Sequence, residues 1–154
     1  MILEVIDKVE KENIARNLLE SLPEWFGQPE STENYIQESK EMPFWVYVTN
    51  HKMVGFIVLK ETAKDTAEIF VMGVKKEYQC KGIGKKLFQT LEIYVKTHGY
   101  SFLQVKTVKY GIYKEYDRTN KFYQSMGFKE FECFPLLWDV NNPCQIYIKY
   151  VGNR

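Results

Sequence analysis

The order of apolar and polar residues along the chain predicts an alternation of strands and helices. Period-two patterns and short apolar runs between turn residues predict strands at 2–6, 44–49, 53–59, 67–74, 102–108, 128–134 and 145–151. Apolar residues that recur every three or four positions predict helices at 9–22, 84–98 and 117–126, with a short helix from Ser31 onward. The resulting order, β-α-α-β-β-β-α-β-α-β-β, places the chain in the mixed α/β (α+β) class.

Some element boundaries have a direct chemical reason. The first helix ends at Pro23, which cannot continue it, and Gly99 closes the helix at 84–98 as its C-cap. The tripeptide at 50–52 separates two strands and predicts a hairpin turn. Helical residues expected to face the core are Ile14, Leu18, Leu19, Leu22, Tyr35 and Ile36, and those expected to face solvent are Glu33 and Glu38.

The most informative stretch joins the strand at 67–74 to the helix that follows it. From Val74 to Lys86 it reads Val-Lys-Lys-Glu-Tyr-Gln-Cys-Lys-Gly-Ile-Gly-Lys-Lys, so a strand passes through a glycine-containing turn directly into a helix. The first backbone N–H groups of a helix have no partners inside it, and the helix dipole places about half a positive charge there. Gly82 and Gly84 let a ligand approach the backbone closely. The turn therefore predicts a site for a phosphate or pyrophosphate.

Two other phosphate-binding loops fit these residues less well. A Walker A loop requires four residues between its first glycine and a Gly-Lys-Ser/Thr sequence, whereas Gly82 and Gly84 are one residue apart and Lys85 precedes another lysine. A dinucleotide-binding turn requires a glycine or alanine three residues after Gly84, where the chain has Leu87. A helix that simply begins after a glycine turn, with no ligand, is the plainest alternative.

Composition and charge fit a small soluble enzyme. The 154 residues are enough for one domain, 1–154, that buries about two thirds of its unfolded surface. The formal net charge of +1 gives no basis for nucleic-acid binding. Cys80, Cys133 and Cys144 have no paired spacing, so we expect neither a disulfide framework nor a metal site, and a reducing cytoplasm is the simplest setting. We expect no export and no membrane insertion, because the chain begins without a basic leader and has no long apolar run.

Two motifs resemble those of one enzyme family. The motif at 79–84, Gln-x-x-Gly-x-Gly, resembles the acetyl-CoA signature Gln/Arg-x-x-Gly-x-Gly/Ala of the GNAT acetyltransferases, and Phe-Tyr-x-x-x-Gly-Phe at 122–128 resembles a second GNAT motif. The predicted order of elements over 1–151 is also similar to that of the family. The resemblance implies a mixed, mostly antiparallel sheet of about six or seven strands flanked by about four helices, with the fourth and fifth strands splayed.

The resemblance implies transfer of an acetyl group from the cosubstrate acetyl-CoA to an amine, without a metal. The pyrophosphate would bind at the glycine turn and the pantetheine along the preceding strand, where a backbone N–H near Val74 would bond the thioester oxygen. The family usually has asparagine where this chain has Tyr116, so Tyr116 or Asn120 is expected to contact pantetheine. Gly73 would mark the point at which the fourth strand separates from the fifth. A glycine packed beneath a helix explains this residue equally well. The predicted cosubstrate-binding residues are Met72, Gly73, Val74, Gln79, Cys80, Lys81, Gly82, Ile83, Gly84, Lys85, Tyr116 and Asn120.

Two side chains are candidates for proton transfer. Glu68 lies near the start of an otherwise apolar strand, where a desolvated carboxylate accepts a proton more readily. An ammonium must lose a proton before its nitrogen attacks a thioester. Its spacing to Gln79 resembles that of the general-base glutamate in histone-acetylating members of the superfamily. By the same resemblance, Tyr123 would protonate the leaving thiolate, with Phe122 on the core side. A strand-end glutamate that meets solvent or a lysine, and an aromatic stripe that packs in the core, are the alternatives.

The acceptor is indicated only by a local charge imbalance. Segment 20–41 has six glutamates and one basic residue, Lys40, interleaved with aromatic residues, and such a surface attracts cations. We therefore expect a small cationic amine as the acceptor, with the loop at 134–139 as an apolar wall. The predicted acceptor-binding residues are Glu24, Trp25, Phe26, Glu30 and Trp138.

Two other functions are compatible with the glycine turn. A catalytically silent CoA-binding module would keep the turn without turnover, and the presence of Glu68 and Tyr123 argues against it. A toxin that acetylates aminoacyl-tRNA would need a basic face for the RNA backbone, which the near-neutral charge disfavours. We therefore expect a small-molecule acceptor and no nucleic-acid partner, and the sequence is compatible with a homodimer.

Overall fold

Within residues 1–152, which the computed structural model describes, the chain forms seven strands and four helices. They follow the order β1 (Ile2–Glu4), α1 (Lys8–Glu20), α2 (Pro29–Ser39), β2 (Phe44–Thr49), β3 (Lys52–Ala63), β4 (Thr66–Val74), α3 (Ile83–Thr97), β5 (Phe102–Val108), α4 (Lys114–Ser125), β6 (Lys129–Asp139) and β7 (Asn142–Tyr150). The strands form one mixed sheet in the order β1-β2-β3-β4-β5-β7-β6. The predicted α/β class is confirmed.

Helix α1 is stabilised by its N-cap and by the burial of its apolar stripe. The Asp7 carboxylate accepts a hydrogen bond from the Glu10 N–H at 2.8 Å, which satisfies one of the unbonded groups at the helix N-terminus. The helix ends at Glu20 with Ser21 as its C-cap, so the chain has left the helix before it reaches Pro23. All of the predicted core residues of this stripe are buried, namely Ile14, Leu18, Leu19 and Leu22.

The predicted hairpin between β2 and β3 is confirmed, and its turn has two residues. Asn50 and His51 have positive φ angles of 50° and 61°, as both central residues of a type I′ turn require. Thr49 and Lys52 pair directly across the ladder. A turn of this type matches the twist of the two strands and so fixes their register.

The residue contacts divide the chain into two compact units. Unit 1 comprises Met1–Lys60 and Ile69–Tyr94. Its core packs apolar residues of α1 and α2 against those of the β2–β3 hairpin and β4, including Leu18, Ile36 and Phe56. This unit contains the glycine turn.

Unit 2 comprises Glu61–Glu68 and residues 95–152. Strands β5 and β6 each pair antiparallel with β7, which therefore lies between them. Helix α4 packs on this unit through buried aromatic residues, and the Tyr123 ring contacts both Phe128 and Tyr147. Glu68 and the candidate acid Tyr123 both belong to this unit.

Several predicted boundaries are wrong. Strand β1 ends two residues earlier than predicted and α2 begins two residues earlier. Helix α4 begins at Lys114 rather than Asp117. Asp117 lies within the first turn of the helix, and its carboxylate accepts a hydrogen bond from the Gly111 N–H at 2.7 Å, which ties the preceding loop to the helix.

The segment 134–139, predicted as a loop, continues strand β6. Its register with β7 is irregular between Phe134 and Asp139. Pro135 is accepted within the strand because β6 is at an edge of the sheet, where an N–H can be missing without breaking a ladder hydrogen bond.

Candidate active site

The glycine turn of unit 1 is tied to the strand before it and opens the helix after it. A 3₁₀ turn at Lys76–Tyr78 follows β4, and the Gln79 side-chain amide donates to the Val74 carbonyl at 2.9 Å. Gly82 has a φ angle of 83°, and its carbonyl accepts from the Lys86 N–H at 3.1 Å, so the hydrogen bonding of α3 begins at Gly82. The next backbone N–H groups are those that a helix leaves unbonded at its N-terminus.

The turn has room for an anion beside Gly82. A Cβ atom placed on Gly82 would meet no atom within 4 Å, and the neighbouring Lys81 and Lys85 are exposed. Cys80 also has a positive φ angle, 60°, although it is not a glycine. The two left-handed residues turn the chain sharply just before α3. Open space, helix N–H groups and exposed lysines together fit a bound pyrophosphate.

In β4, Gly73 is closely packed. A Cβ atom there would lie 2.9 Å from Leu22 Cδ1 and 3.5 Å from Phe56 Cε1. The glycine thus lets the strand approach Leu22, which lies just after α1, and Phe56 of β3. Gly73 does not interrupt the strand, and its predicted neighbours at the site, Met72 and Val74, are half-buried.

Glu68 is buried in unit 2 and forms an ion pair with Lys106 of β5. Only 6% of Glu68 is exposed, and the Lys106 ammonium donates to both carboxylate oxygens at 3.1 Å. The Lys106 side chain is 30% exposed. Because a buried carboxylate is costly unless it is paired and hydrogen-bonded, this lysine accounts for the position of Glu68. The lysine contact that the sequence left open is confirmed, although it is buried.

Cys144 of β7 lies close to this pair as a neutral thiol. Burial raises the pKa of Cys144 to about 11, and the charge of Lys106 opposes that shift while the charge of Glu68 adds to it. In the β5–β7 ladder Lys106 pairs with Ile146 and Val108 with Cys144, so these side chains share one face of the sheet. A thiol with a raised pKa is a weak nucleophile at neutral pH. The reactive groups of the cluster are therefore the carboxylate and the ammonium.

Helix α4 carries a buried polar network around Asn120. The Asn120 side-chain amide donates to the carbonyls of Val108 at 2.9 Å and Tyr116 at 2.6 Å, and its oxygen accepts from the Tyr147 hydroxyl at 2.7 Å. Gln124 donates to the same hydroxyl at 3.4 Å. Asn120 is fully buried, so its amide joins α4 to β5 and β7. Its predicted contact with pantetheine stays a prediction, as does that of Tyr116.

Tyr123 faces the interior of unit 2. Its ring centroid lies 5.8 Å from that of Phe128 and 6.5 Å from that of Tyr147, and 6% of the residue is exposed. Phe122 is only half-buried, so the prediction that it takes the core side is wrong. The buried face of α4 instead contains Asn120 and Tyr123, which are three residues apart. Proton transfer by Tyr123 stays a prediction.

The glycine of the second motif ends α4. Gly127 has a φ angle of 96°, and the Lys149 ammonium donates to the Met126 carbonyl at 2.9 Å, where the helix leaves carbonyls unbonded. A Cβ atom on Gly127 would lie 3.0 Å from Lys149 Cε. The motif therefore fixes the position at which the chain leaves the helix.

The acidic charge of segment 20–41 is partly neutralised by basic residues from outside it. The pairs are Glu24 with Lys76, Glu33 with Arg16 at 2.7 Å, and Glu41 with Lys8 at 2.8 Å. Hydrogen bonds from Arg16 and Gln37 lower the pKa of Glu33 to about 2. Among residues 1–152, Glu20, Glu30 and Glu38 take part in no ion pair. Counting charges within the segment could not reveal these long-range partners.

The aromatic residues predicted for the acceptor lie in different environments. Phe26 packs edge-to-face on Tyr35 at 5.9 Å, and Tyr35 packs on Phe70 of β4 at 5.2 Å. The Lys60 ammonium lies 5.4 Å from the Phe70 ring centroid, so one of these three rings already contacts a cation. Trp25 is half-buried in unit 1, and Trp138 is exposed on β6 of unit 2.

Among the described residues, no group of three or more His, Cys, Asp or Glu side chains is placed to hold a metal ion. Within the same part of the chain, no helix has the length and apolar character to cross a membrane.

The part of the chain that contains the turn and all of α4 also matches a known family. A model described as an acetyltransferase (GNAT) domain matches residues 40–130, which is more than half of the chain and includes both motifs. The chain belongs to the GNAT acetyltransferase family. The resemblance predicted from the motifs at 79–84 and 122–128 is confirmed.

Solved GNAT structures have the same fold over nearly the whole chain. A structure assigned to this family from Desulfovibrio desulfuricans has a TM-score of 0.85 at 18% identity, covering 98% of each chain. An aminoglycoside 6'-N-acetyltransferase from Enterococcus faecium has a TM-score of 0.78 at 18% identity, covering 100% of this chain and 98% of its own. At these identities the likeness establishes the fold.

One curated relative is larger than this chain. The N-acetylaspartate synthetase of Xenopus tropicalis is 30% identical over 98 residues, which are 63% of this chain and 34% of the relative. The chain thus spans about a third of the length of this relative.

Lys106 and Tyr147 are the polar residues of the candidate site that sequence reasoning missed. Lys106 is 38 positions from Glu68 along the chain, and the two strands become neighbours only through the sheet order. A lysine among apolar residues of the strand at 102–108 was a signal that could have identified it. Tyr147 carried no comparable signal, because a tyrosine in a strand is ordinary.

Proposed function

We propose that this GNAT protein is an acetyl-CoA-dependent N-acetyltransferase that acts on a small primary amine in a ternary complex. The observation that carries the proposal is the turn before α3, where Gly82 has a left-handed φ angle and open space beside it. An anion of pyrophosphate size can there accept hydrogen bonds from the first N–H groups of the helix. The family membership supports acetyl-CoA as the ligand with this pyrophosphate.

The proposed reaction uses Glu68 as the base and Tyr123 as the acid. Glu68 accepts a proton from the acceptor ammonium, directly or through a water, and the neutral nitrogen then bonds to the thioester carbonyl carbon. As the carbon–sulfur bond breaks, the Tyr123 hydroxyl gives its proton to the CoA thiolate. The second proton lost by nitrogen as the amide forms restores that hydroxyl. A backbone N–H near Val74 stabilises the developing oxyanion.

The acceptor in this proposal carries at least one further positive charge. Within residues 1–152, Glu30 and Glu38 of α2 take part in no ion pair, and the packed rings of Phe26, Tyr35 and Phe70 are suited to cations. The aminoglycoside acetyltransferases among the solved structures are in line with a small-molecule acceptor. Because several glutamates are already neutralised, the expected attraction is weaker than the sequence alone implies.

A turnover screen tests the function. Acetyl-CoA consumption is measured against polyamines, aminoglycosides, amino acids and peptide N-termini, for the wild type and for Glu68→Gln. We expect turnover with a small cationic amine and a loss of about 10²- to 10⁴-fold in Glu68→Gln. Equal rates for both proteins would show that Glu68 is not the base.

The charge of the acceptor is tested with variants chosen by their ion pairs. Glu30→Gln/Glu38→Gln should raise the KM for the cationic amine, leave that for acetyl-CoA unchanged and flatten the salt dependence of the rate. Glu41→Gln is the matched control, because Lys8 already neutralises that carboxylate and Glu41 is not among the predicted acceptor-binding residues. A screen in which neutral or anionic amines react best would exclude a cationic acceptor.

One observation favours a catalytically silent CoA-binding module as the second candidate. Both oxygens of Glu68 already accept hydrogen bonds from Lys106, as they would in a purely structural ion pair. Tight CoA binding in calorimetry, with no turnover of any amine in the screen, would establish this alternative.

A further inference from the structure

The Glu68–Lys106 pair has a geometry that bears on how the proposed base works. Both Glu68 carboxylate oxygens lie 3.1 Å from the Lys106 ammonium nitrogen, so the nitrogen is equidistant from them and faces the midpoint between the two oxygens. The ammonium therefore faces the inner side of both oxygens. The outer lone pairs, one on each oxygen, accept no hydrogen bond from another of the described residues.

We propose that Lys106 is a positioning residue that fixes the rotation of the Glu68 carboxylate for proton transfer. The inference rests on the proposed function, because it assigns a partner to the proposed base. Proton transfer depends on the geometry of the acceptor oxygen, and misplacement by about 1 Å can cost roughly 10²-fold in rate. A carboxylate with no partner would turn freely and would be expensive to keep charged in the interior.

The backbone on which Lys106 stands is well fixed. Strand β5 pairs with β7 at every position of Phe102–Val108, with Lys106 directly opposite Ile146. Ile146 is buried, as is Cys144, the diagonal neighbour on the same face. The lysine stem therefore rises from a paired strand beside apolar and uncharged groups, and the carboxylate is the charged partner that the structure provides for its ammonium.

The pair differs from an ordinary surface ion pair in its exposure. The Glu68 side chain is 8% exposed, whereas in the Arg16–Glu33 pair the side chains are 36% and 46% exposed. Solvent competes for and screens an exposed pair, so such a pair imposes little orientation on its members. Lys106 is 30% exposed, so it is the burial of the carboxylate that distinguishes this pair, and there the ammonium takes the place of water as the group that orients it.

Steady-state kinetics of Lys106→Met test the inference. We expect kcat to fall about 10- to 100-fold while the KM for acetyl-CoA stays unchanged, because the base is misplaced and the cosubstrate site is untouched. Lys106→Arg keeps the charge and should recover part of the loss. Lys129→Met is the matched control, since Lys129 is an exposed lysine of β6, and its kinetics should equal those of the wild type. A wild-type kcat in Lys106→Met would overturn the inference.

A double variant covers the case in which Lys106→Met does not fold. Glu68→Gln/Lys106→Met removes both charges and so leaves no unpaired charge in the interior. If Lys106 acts only through Glu68, adding Lys106→Met to Glu68→Gln should lower kcat by less than twofold. A further loss as large as that in the single variant would show that Lys106 acts independently, which contradicts the inference.

The same series separates this inference from the proposed function. If Glu68→Gln keeps the wild-type kcat, Glu68 is not the base and the proposed roles fail, whatever Lys106 does. If Glu68→Gln loses turnover and Lys106→Met does not, only the positioning role of Lys106 fails.

Discussion

The glycine turn of unit 1 and the Glu68–Lys106 pair of unit 2 present chemical groups in opposite ways. The turn offers backbone N–H groups at an exposed helix start, with its shape set by the left-handed residues Cys80 and Gly82. The pair offers a buried carboxylate and a half-buried ammonium from two strands, 38 positions apart in the chain. A site made from local backbone can be recognised in sequence, whereas a site made from distant side chains depends on the order of strands in the sheet.

The largest effect is expected from a substitution in the glycine turn. Gly82→Asp should abolish measurable CoA binding, because it places a negative charge and a side chain where the pyrophosphate is expected. The left-handed φ angle of 83° adds backbone strain, so a control must carry the same strain. Calorimetric titration with CoA measures the result.

Gly99→Asp is that control. Gly99 has a φ angle of 82° and, like Gly82, has no atom within 4 Å of an added Cβ, but it lies at the opposite end of α3. CoA affinity should be unchanged in Gly99→Asp. Unaltered affinity in a folded Gly82→Asp variant would remove the basis of the functional proposal.

The next effect concerns the buried acid candidate. Tyr123→Phe should slow turnover by about 10²-fold with little change in acetyl-CoA affinity, since it removes one hydroxyl and leaves the ring packed on Phe128 and Tyr147. Tyr113→Phe, which removes the hydroxyl of an exposed tyrosine, is the control. Stopped-flow or steady-state assays with a good acceptor measure the turnover rates of the wild type and the two variants. Equal rates in all three proteins would exclude Tyr123 as the acid.

A smaller effect, on stability, is expected from the network around Asn120. Asn120→Ala should lower the free energy of unfolding by about 2–4 kcal/mol, because it leaves buried hydrogen-bonding groups of Val108 and Tyr147 without their partner and opens a cavity. Tyr147→Phe removes only one hydroxyl and should cost about 1 kcal/mol. Urea unfolding measures both, and a loss in Asn120→Ala no larger than in Tyr147→Phe would contradict this account.

The smallest effect comes from the exposed pair of Arg16 and Glu33. Because the pKa of Glu33 is lowered to about 2 in the folded chain from 4.5, the pair stabilises the protein above about pH 4.5 and loses this contribution as the pH falls toward 2. Glu33→Gln should therefore lower the thermal midpoint slightly at pH 7. The difference from the wild type should vanish near pH 2, and it should shrink in high salt at pH 7. A constant difference across this pH range would show that the charge is not responsible.

The sequence by itself determined the elements and the backbone site. Apolar periodicity identified the helices and strands, because a buried face repeats at 3.6 or 2 residues whatever it packs against. The motif at 79–84 predicted an anion site, because a strand, a left-handed glycine and a helix start follow one another in the chain. The resemblance in these residues and in 122–128 was sufficient to identify the GNAT fold.

Only the tertiary structure decided which side chains meet. It paired Glu68 with Lys106, gave the Asn120 amide to Val108 and Tyr147, and neutralised acidic residues of segment 20–41 with lysines and an arginine from other elements. It also turned Tyr123 rather than Phe122 to the interior. Each of these contacts joins residues distant in sequence or depends on how a helix rotates on the sheet. No local pattern encodes such contacts, since they are determined by the packing of the whole unit.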